Sequence, residues 1–141
     1  MSFKIDIIGV VKGAVNQVNA ELPARAAAAS VKLQNASKEV LRGQRIGRTY
    51  RAPSGVTYTA SAPGEPPAER PSSGKLKNNW RTVQYGANHQ NPAIETNVPY
   101  AWLDKGSPGG MIAPRPYAQK IIDMAKPEVE AIYAAPFNID L

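Results

Sequence analysis

The side chains that could do chemistry are few, and their spacing argues against a catalytic site. His89 is the one imidazole in the chain, and it sits in the polar stretch Gly86-Ala87-Asn88-His89-Gln90-Asn91-Pro92 with no nucleophile beside it. Nucleophilic catalysis needs a base held against the attacking group, so His89 reads as a solvated turn residue. The chain has no Cys, which excludes a thiol nucleophile, a disulfide framework and a Cys-ligated zinc site. With no second His and acidic residues placed singly, metal ligation lacks its donor spacing as well. No metal and no cofactor are expected. Ser73-Gly74-Lys75-Leu76 hints at a phosphate loop, but Glu69 stands where its first glycine belongs and Leu76 where Ser or Thr is required. Glu65 and Glu69 lie on a Pro-rich stretch with nothing rigid to fix their separation, so acid and base work between them is unsupported. By what a site requires, the chain is expected not to be an enzyme.

Charge is the next candidate. Lys and Arg number 17 against 11 Asp and Glu, a formal net charge of +6. Residues 1–60 hold nine basic and three acidic groups, 61–120 seven and four, and 121–141 one and four. Arg42, Arg45, Arg48 and Arg51 recur every third residue across an expected helix end, loop and strand, so they share no single face. Such a cluster can track phosphates in a salt-dependent way, yet no base-reading motif accompanies it. It is expected to act through charge, either toward nucleic acid or toward Asp123, Glu128 and Glu130 of an adjacent copy, and ordinary solvation explains it as well.

The elements that must position these groups follow from periodicity. A chain of 141 residues is one domain's worth, taken as 1–141. No apolar run approaches the roughly 20 residues needed to cross a bilayer. The opening Met1 to Gly9 carries Asp6 inside its apolar stretch and does not read as a signal peptide, so a soluble chain made in the cytoplasm is expected. Val10 to Arg42 is rich in helix formers, with Leu22, Ala26, Ala29, Leu33, Ala36 and Val40 on one face and Arg25, Lys32, Lys38, Glu39 and Arg42 off it. Pro23 suits only a first helical turn, which predicts a short helix near 10–20 and a longer one over 23–42, stopped at Gly43. Two β-prone runs around Ala52-Pro53-Ser54-Gly55 predict one hairpin, and Trp80 to Tyr85 with Ala93 to Val98 predict another. Between them, residues 62–74 are too rich in Pro, Gly and Ser to build core or ladder and predict an extended, exposed loop. Val98 to Leu103 reads as strand, and Tyr100, Trp102 and Tyr117 as mostly structural. Pro114 and Pro116 open a last helix whose buried stripe is Tyr117, Ile121, Met124 or Ala125, Val129 and Ile132, with a kink or restart at Pro127. The fold class is α+β: an antiparallel sheet of two hairpins packed against a long N-terminal helix and a C-terminal helix, with a long Pro-rich loop.

The irregular segments carry a resemblance. Ser61-Ala62-Pro63-Gly64-Glu65-Pro66-Pro67-Ala68, then Ser73-Gly74-Lys75-Leu76, then Val98-Pro99-Tyr100-Ala101-Trp102-Leu103-Asp104-Lys105-Gly106-Ser107, then Met111-Ile112-Ala113-Pro114-Arg115-Pro116-Tyr117 occur in an order that resembles the small neck proteins of long-tailed bacteriophages. This is the head-tail joining or tail-completion family that includes relatives of minor tail protein Z. The resemblance covers about residues 10–133. Asp104 stands where Glu is usual, Ser107 where Thr is usual, and Arg70, Pro71 and Ser72 lengthen the approach to Gly74. It implies a virion structural protein without catalysis, a closed homo-oligomeric ring of six copies matching a tail tube at the neck between head and tail. The partners implied are other neck and tail proteins (stopper or adaptor, and tail tube) and genomic DNA that passes without sequence recognition, with no membrane. The location implied is the virion, after assembly in the host cytoplasm. Stopper, completion protein and tail terminator all stay open. Pro63, Gly64, Glu65, Pro66, Pro67, Asp104, Gly106, Ser107, Met111 and Arg115 are the expected subunit or neighbouring-ring interface, and Arg42, Arg45, Arg48 and Arg51 the basic lumen or inter-subunit patch. The alternative is a basic DNA-binding module without enzymatic activity.

Overall fold

The computed structural model describes residues 3–5, 7–43, 45–69 and 74–140. The Arg70, Pro71 and Ser72 lengthening and the Ser73 of the apparent phosphate loop lie outside the described residues. The chain is α+β. Helix α1 (Ile8–Arg42) leads to strands β1 (Thr49–Arg51) and β2 (Thr57–Thr59). The short helix α2 (Lys75–Asn78), strands β3 (Arg81–Tyr85) and β4 (Asn91–Glu95), a 3₁₀ turn (Ala101–Asp104) and helix α3 (Ala118–Ala134) follow.

Both strand pairs are antiparallel, and they form separate two-stranded sheets. In the first, Thr49 faces Thr59 and Arg51 faces Thr57. In the second, Arg81 faces Glu95 and Tyr85 faces Asn91, so β4 lies earlier than the expected 93–98. The second pair packs extensively on α1, which also carries α2 and α3.

Small residues explain the packing. Ala26, Ala29, Ser30, Ala36 and Ser37 are all buried on α1, which lets the helix approach the hairpin closely enough for Ser30 Oγ to accept from the Ala93 amide at 3.2 Å and from Gln84 Nε2 at 3.3 Å. Gln34 Nε2 likewise donates to the Trp80 carbonyl at 2.8 Å. Beyond them a core forms from Ala36, Val40, Leu41, Leu76, Val98, Tyr117, Ile121 and Ala125. Of the stripe expected on α3, Tyr117, Ile121 and Ala125 are buried and Val129 and Ile132 half-buried, whereas Met124 is exposed.

Four local expectations are corrected. Residues 8–42 form one helix and not two, with Pro23 in its interior. Proline there deletes a hydrogen bond and crowds the carbonyl four residues back, but the tail braces the helix just before it, and Arg25 just after it bonds to the Ala135 and Pro136 carbonyls. Gln17 exchanges hydrogen bonds with the backbone of Asp140, and Glu21 accepts from the Asn138 amide at 2.9 Å. Pro127 does not restart α3, which runs through it as one helix while Ile121 and Ala125 stay buried against the core. Neither Pro114 nor Pro116 enters α3; it begins at Ala118, where the Asp104 carboxylate accepts from the amides of Tyr117 at 2.8 Å and Ala118 at 2.9 Å. That is an N-cap delivered from a distant segment. Finally, Val98 to Leu103 is not strand but turn and 3₁₀, because Ala101 donates to the Val98 carbonyl and Leu103 to that of Tyr100.

Candidate functional site

The described part of the Pro-rich loop is not an exposed, extended strand of chain. Pro67 is buried and Glu65, Pro66, Ala68 and Glu69 are half-buried, while Pro63 and Gly64 are exposed. Two buttresses hold it. Arg45 donates from Nε to the Pro66 carbonyl at 2.8 Å and from Nη2 to those of Val40 at 3.1 Å and Pro67 at 3.3 Å. Burial lowers the Arg45 pKa, and the nearby Glu65 charge partly restores it. Glu65 in turn accepts from the Ala62 amide at 2.7 Å and the Ile46 amide at 3.0 Å, and these backbone hydrogen bonds hold its carboxyl below the ordinary range. The loop is therefore tied to the segment leaving α1.

Glu69 completes the arrangement and disposes of the phosphate-loop hint. Its Oε1 accepts from the Leu76 amide at 2.6 Å and from the Tyr100 hydroxyl. A carboxylate of the chain itself thus takes the amide that a bound anion would need. The two carboxylates Glu65 and Glu69 are each occupied as structural acceptors.

The 104–116 segment is equally braced. Ser107 donates its amide to the Ile112 carbonyl at 3.0 Å and its Oγ accepts from the Ile112 amide at 2.8 Å, closing a turn with Met111 at its fully exposed tip. Gly106 has φ +79°, and a Cβ there would stand 2.6 Å from the Ile112 carbonyl oxygen, so only glycine closes this turn. Arg115 donates from Nε to Ser61 Oγ at 3.0 Å and from Nη1 to the Ala113 carbonyl at 2.8 Å. The Gly64 amide reaches the Pro114 carbonyl at 3.2 Å, and Lys120 Nζ reaches the Gly64 carbonyl at 3.1 Å. The structure thus joins the two segments that carry Pro63 to Pro67 and Asp104 to Arg115 into one hydrogen-bonded surface.

The four arginines divide. Arg42 pairs with Glu39 at 2.8 Å on the surface of α1, and Arg45 is spent inside the chain. Arg48 and Arg51 stand on the first hairpin, with the Arg48 guanidinium 5.5 Å from the centre of the Tyr50 ring and Tyr50 stacked on Tyr58 at 5.9 Å. Of their proposed acidic partners, Glu128 lies 3.7 Å from Lys32, Glu130 lies 3.8 Å from Lys126, and Asp123 accepts from Gln119. His89 sits in the β3–β4 turn at φ +50°, exposed, as its neighbours suggest.

Two features escaped sequence reasoning. Arg25, expected off the packed face, donates to the carbonyls of Ile132 at 2.8 Å, Ala135 at 2.6 Å and Pro136 at 2.8 Å and lies over the Phe137 ring. Its pairing with Glu21 one turn earlier is the local signal, but the carbonyls it serves are over a hundred residues away. An open groove of about 960 Å³ is lined by residues that include Trp80, Trp102, Lys105 and Tyr117. Trp102, expected to be structural, is 46% exposed on it; its place on a short 3₁₀ turn and not on a strand turns it outward from the core.

Among the described residues no group of three or more His, Asp or Glu could hold a metal, and no helix is long and apolar enough to cross a membrane. No family model, curated protein or solved structure matches this chain.

Proposed function

We propose that this chain is a non-enzymatic virion structural protein that forms a homomeric ring at the neck of a long-tailed bacteriophage, joining the DNA-filled head to the tail. The resemblance of the 61–76 and 98–117 segments to that family motivates the reading. The observation that carries it is the single braced surface made by those same segments. Loops fixed by Arg45, Glu65, Glu69 and Arg115 present a preformed face, and a preformed face loses little conformational entropy when a neighbouring ring docks on it. Imaging of phage particles carrying a tagged copy tests the reading. The expected position is the portal–tail junction, in ring density, and loss of the chain should leave filled heads and tails unjoined. Finding it elsewhere in the particle, or outside it, overturns the reading.

A second reading, a DNA-binding module, is favoured by the hairpin that presents Arg48, Tyr50, Arg51 and Tyr58 with no ion pair to either arginine among the described residues. It requires the isolated chain to bind duplex DNA with affinity that falls steeply with salt and is weakened by Arg48→Gln with Arg51→Gln.

A further inference from the structure

The feature of the surface that most needs a partner is the segment that opens α1. Phe3, Ile5 and Ile7 are 89%, 82% and 67% exposed, and Val10, Val11 and Val15 are about half-exposed. Val11, Val15, Val18 and Leu22 continue, at steps of three and four, the stripe that is buried from Ala26 onward. Together the six exposed side chains hold on the order of 700 Å² in water, close to the roughly 800 Å² each partner brings to a standard interface. Apolar surface of that extent, gathered in one short segment, marks an interaction site.

A complementary surface lies far from it. The groove lined by Trp80, Trp102, Lys105, Ser107, Pro108 and Tyr117 is open, and the Trp80 indole nitrogen is buried with no hydrogen-bond partner. Its Tyr117 belongs to the same core as Val40 and Leu41. At 1.5 Å of rise per residue, about 40 Å of helix separates Val11 from that level. The segment and the groove therefore do not meet within one chain. Two unlike surfaces on opposite ends of a molecule make heterologous, head-to-tail contacts between copies.

We propose that Phe3, Ile5 and Ile7 with the first turns of α1, residues 8–15, of one copy seat in the Trp80–Trp102 groove of a second copy. The groove's volume, near the top of the roughly 300–1,000 Å³ range of ligand sites, accepts several side chains from one helix face. Pairing of two 8–22 stripes with each other would cover about two heptads of each helix and would leave the groove open. The contact stands on area and separation; that it closes into a ring rests on the function proposed above.

The absence of native Cys makes the test direct. Val11→Cys and Lys105→Cys are prepared separately and mixed under mild oxidation at high protein concentration. The expected product is a disulfide between copies joining positions 11 and 105, and Val15→Glu abolishes it without changing the melting of the monomer. Trp102→Ala should weaken self-association of the otherwise unaltered chain by on the order of tenfold, as loss of one anchoring aromatic does. A dominant 11–11 product, or a monomer that yields no cross-link, overturns the proposal. Flotation with anionic vesicles that is lost in Val15→Glu, without the 11–105 product, assigns the segment to a lipid surface instead and also overturns it. A cross-linked species that grows as an open filament retains the contact and refutes the ring.

Discussion

The two ends of α1 carry the same spacing of apolar residues and meet different surroundings. Over 26–41 the stripe is small, Ala and Ser alternating with Val and Leu, and it is covered by β3, β4 and α3. Over 8–15 it is larger and β-branched, and it stands in water. Small side chains suit a partner already present in the chain, because backbones can close in and side-chain hydroxyls such as Ser30 and Ser37 can bond to main chain. Large side chains left outside mark a partner that comes from elsewhere.

Mutations sharpen this contrast. The largest effect is expected from Leu76→Ala, which empties a side chain only 1% exposed at the α1–α2 junction; chemical denaturation should read a loss of about 2–5 kcal/mol. Ala29→Leu, at 0% exposure, forces bulk between α1 and its cover and should cost about 1–3 kcal/mol by the same measurement. Asp104→Ala removes the cap of α3 and should cost about 0.5–2 kcal/mol, with hydrogen exchange quickening at Tyr117 and Ala118. At the other end, Val11→Ser should change monomer stability by no more than about 0.5 kcal/mol. A loss as large as that of Ala29→Leu would erase the distinction between the two ends.

A pH series probes the braced half separately. Burial, with the nearby Asp104 charge, pushes the Tyr117 hydroxyl from 10.0 up to about 12. Its neutral form is the one the fold favours, so this contribution is complete below pH 10.0 and is lost as pH rises toward about 12. Glu65 runs the other way. Its folded pKa lies below 4.5, so its contribution is present above that value and disappears as pH falls through the lower, folded one. Denaturation at stepped pH, with Tyr117→Phe and Glu65→Gln as controls, should show each limb flatten in its own variant.

How far the sequence could be read depended on the range of the interaction. The α1 stripe, both hairpins and the α3 stripe from Tyr117 to Ala125 were legible, since period and turn chemistry are local. Proline was misjudged at Pro23, because its local penalty was opposed by Gln17 and Glu21 bonding to a tail over a hundred residues away. The Pro-rich loop was legible as irregular but not as held, since the Arg45 and Glu65 contacts that hold it join segments about twenty residues apart. Trp102 was misplaced because a strand and a 3₁₀ turn differ little in composition over six residues.

The amino-acid order alone determined most of α1 and α3, where the hairpins turn, and that the chain is α+β. Tertiary structure alone decided how much of the α1 stripe is covered, that Arg45 serves the loop while Arg48 and Arg51 stay on the hairpin, and that Asp104 caps α3. The reason is physical. Backbone propensity and side-chain period act over a few residues, whereas a carbonyl offered to Arg25, or a groove left open beside Trp102, exists only once distant parts of the chain have been brought within hydrogen-bond reach.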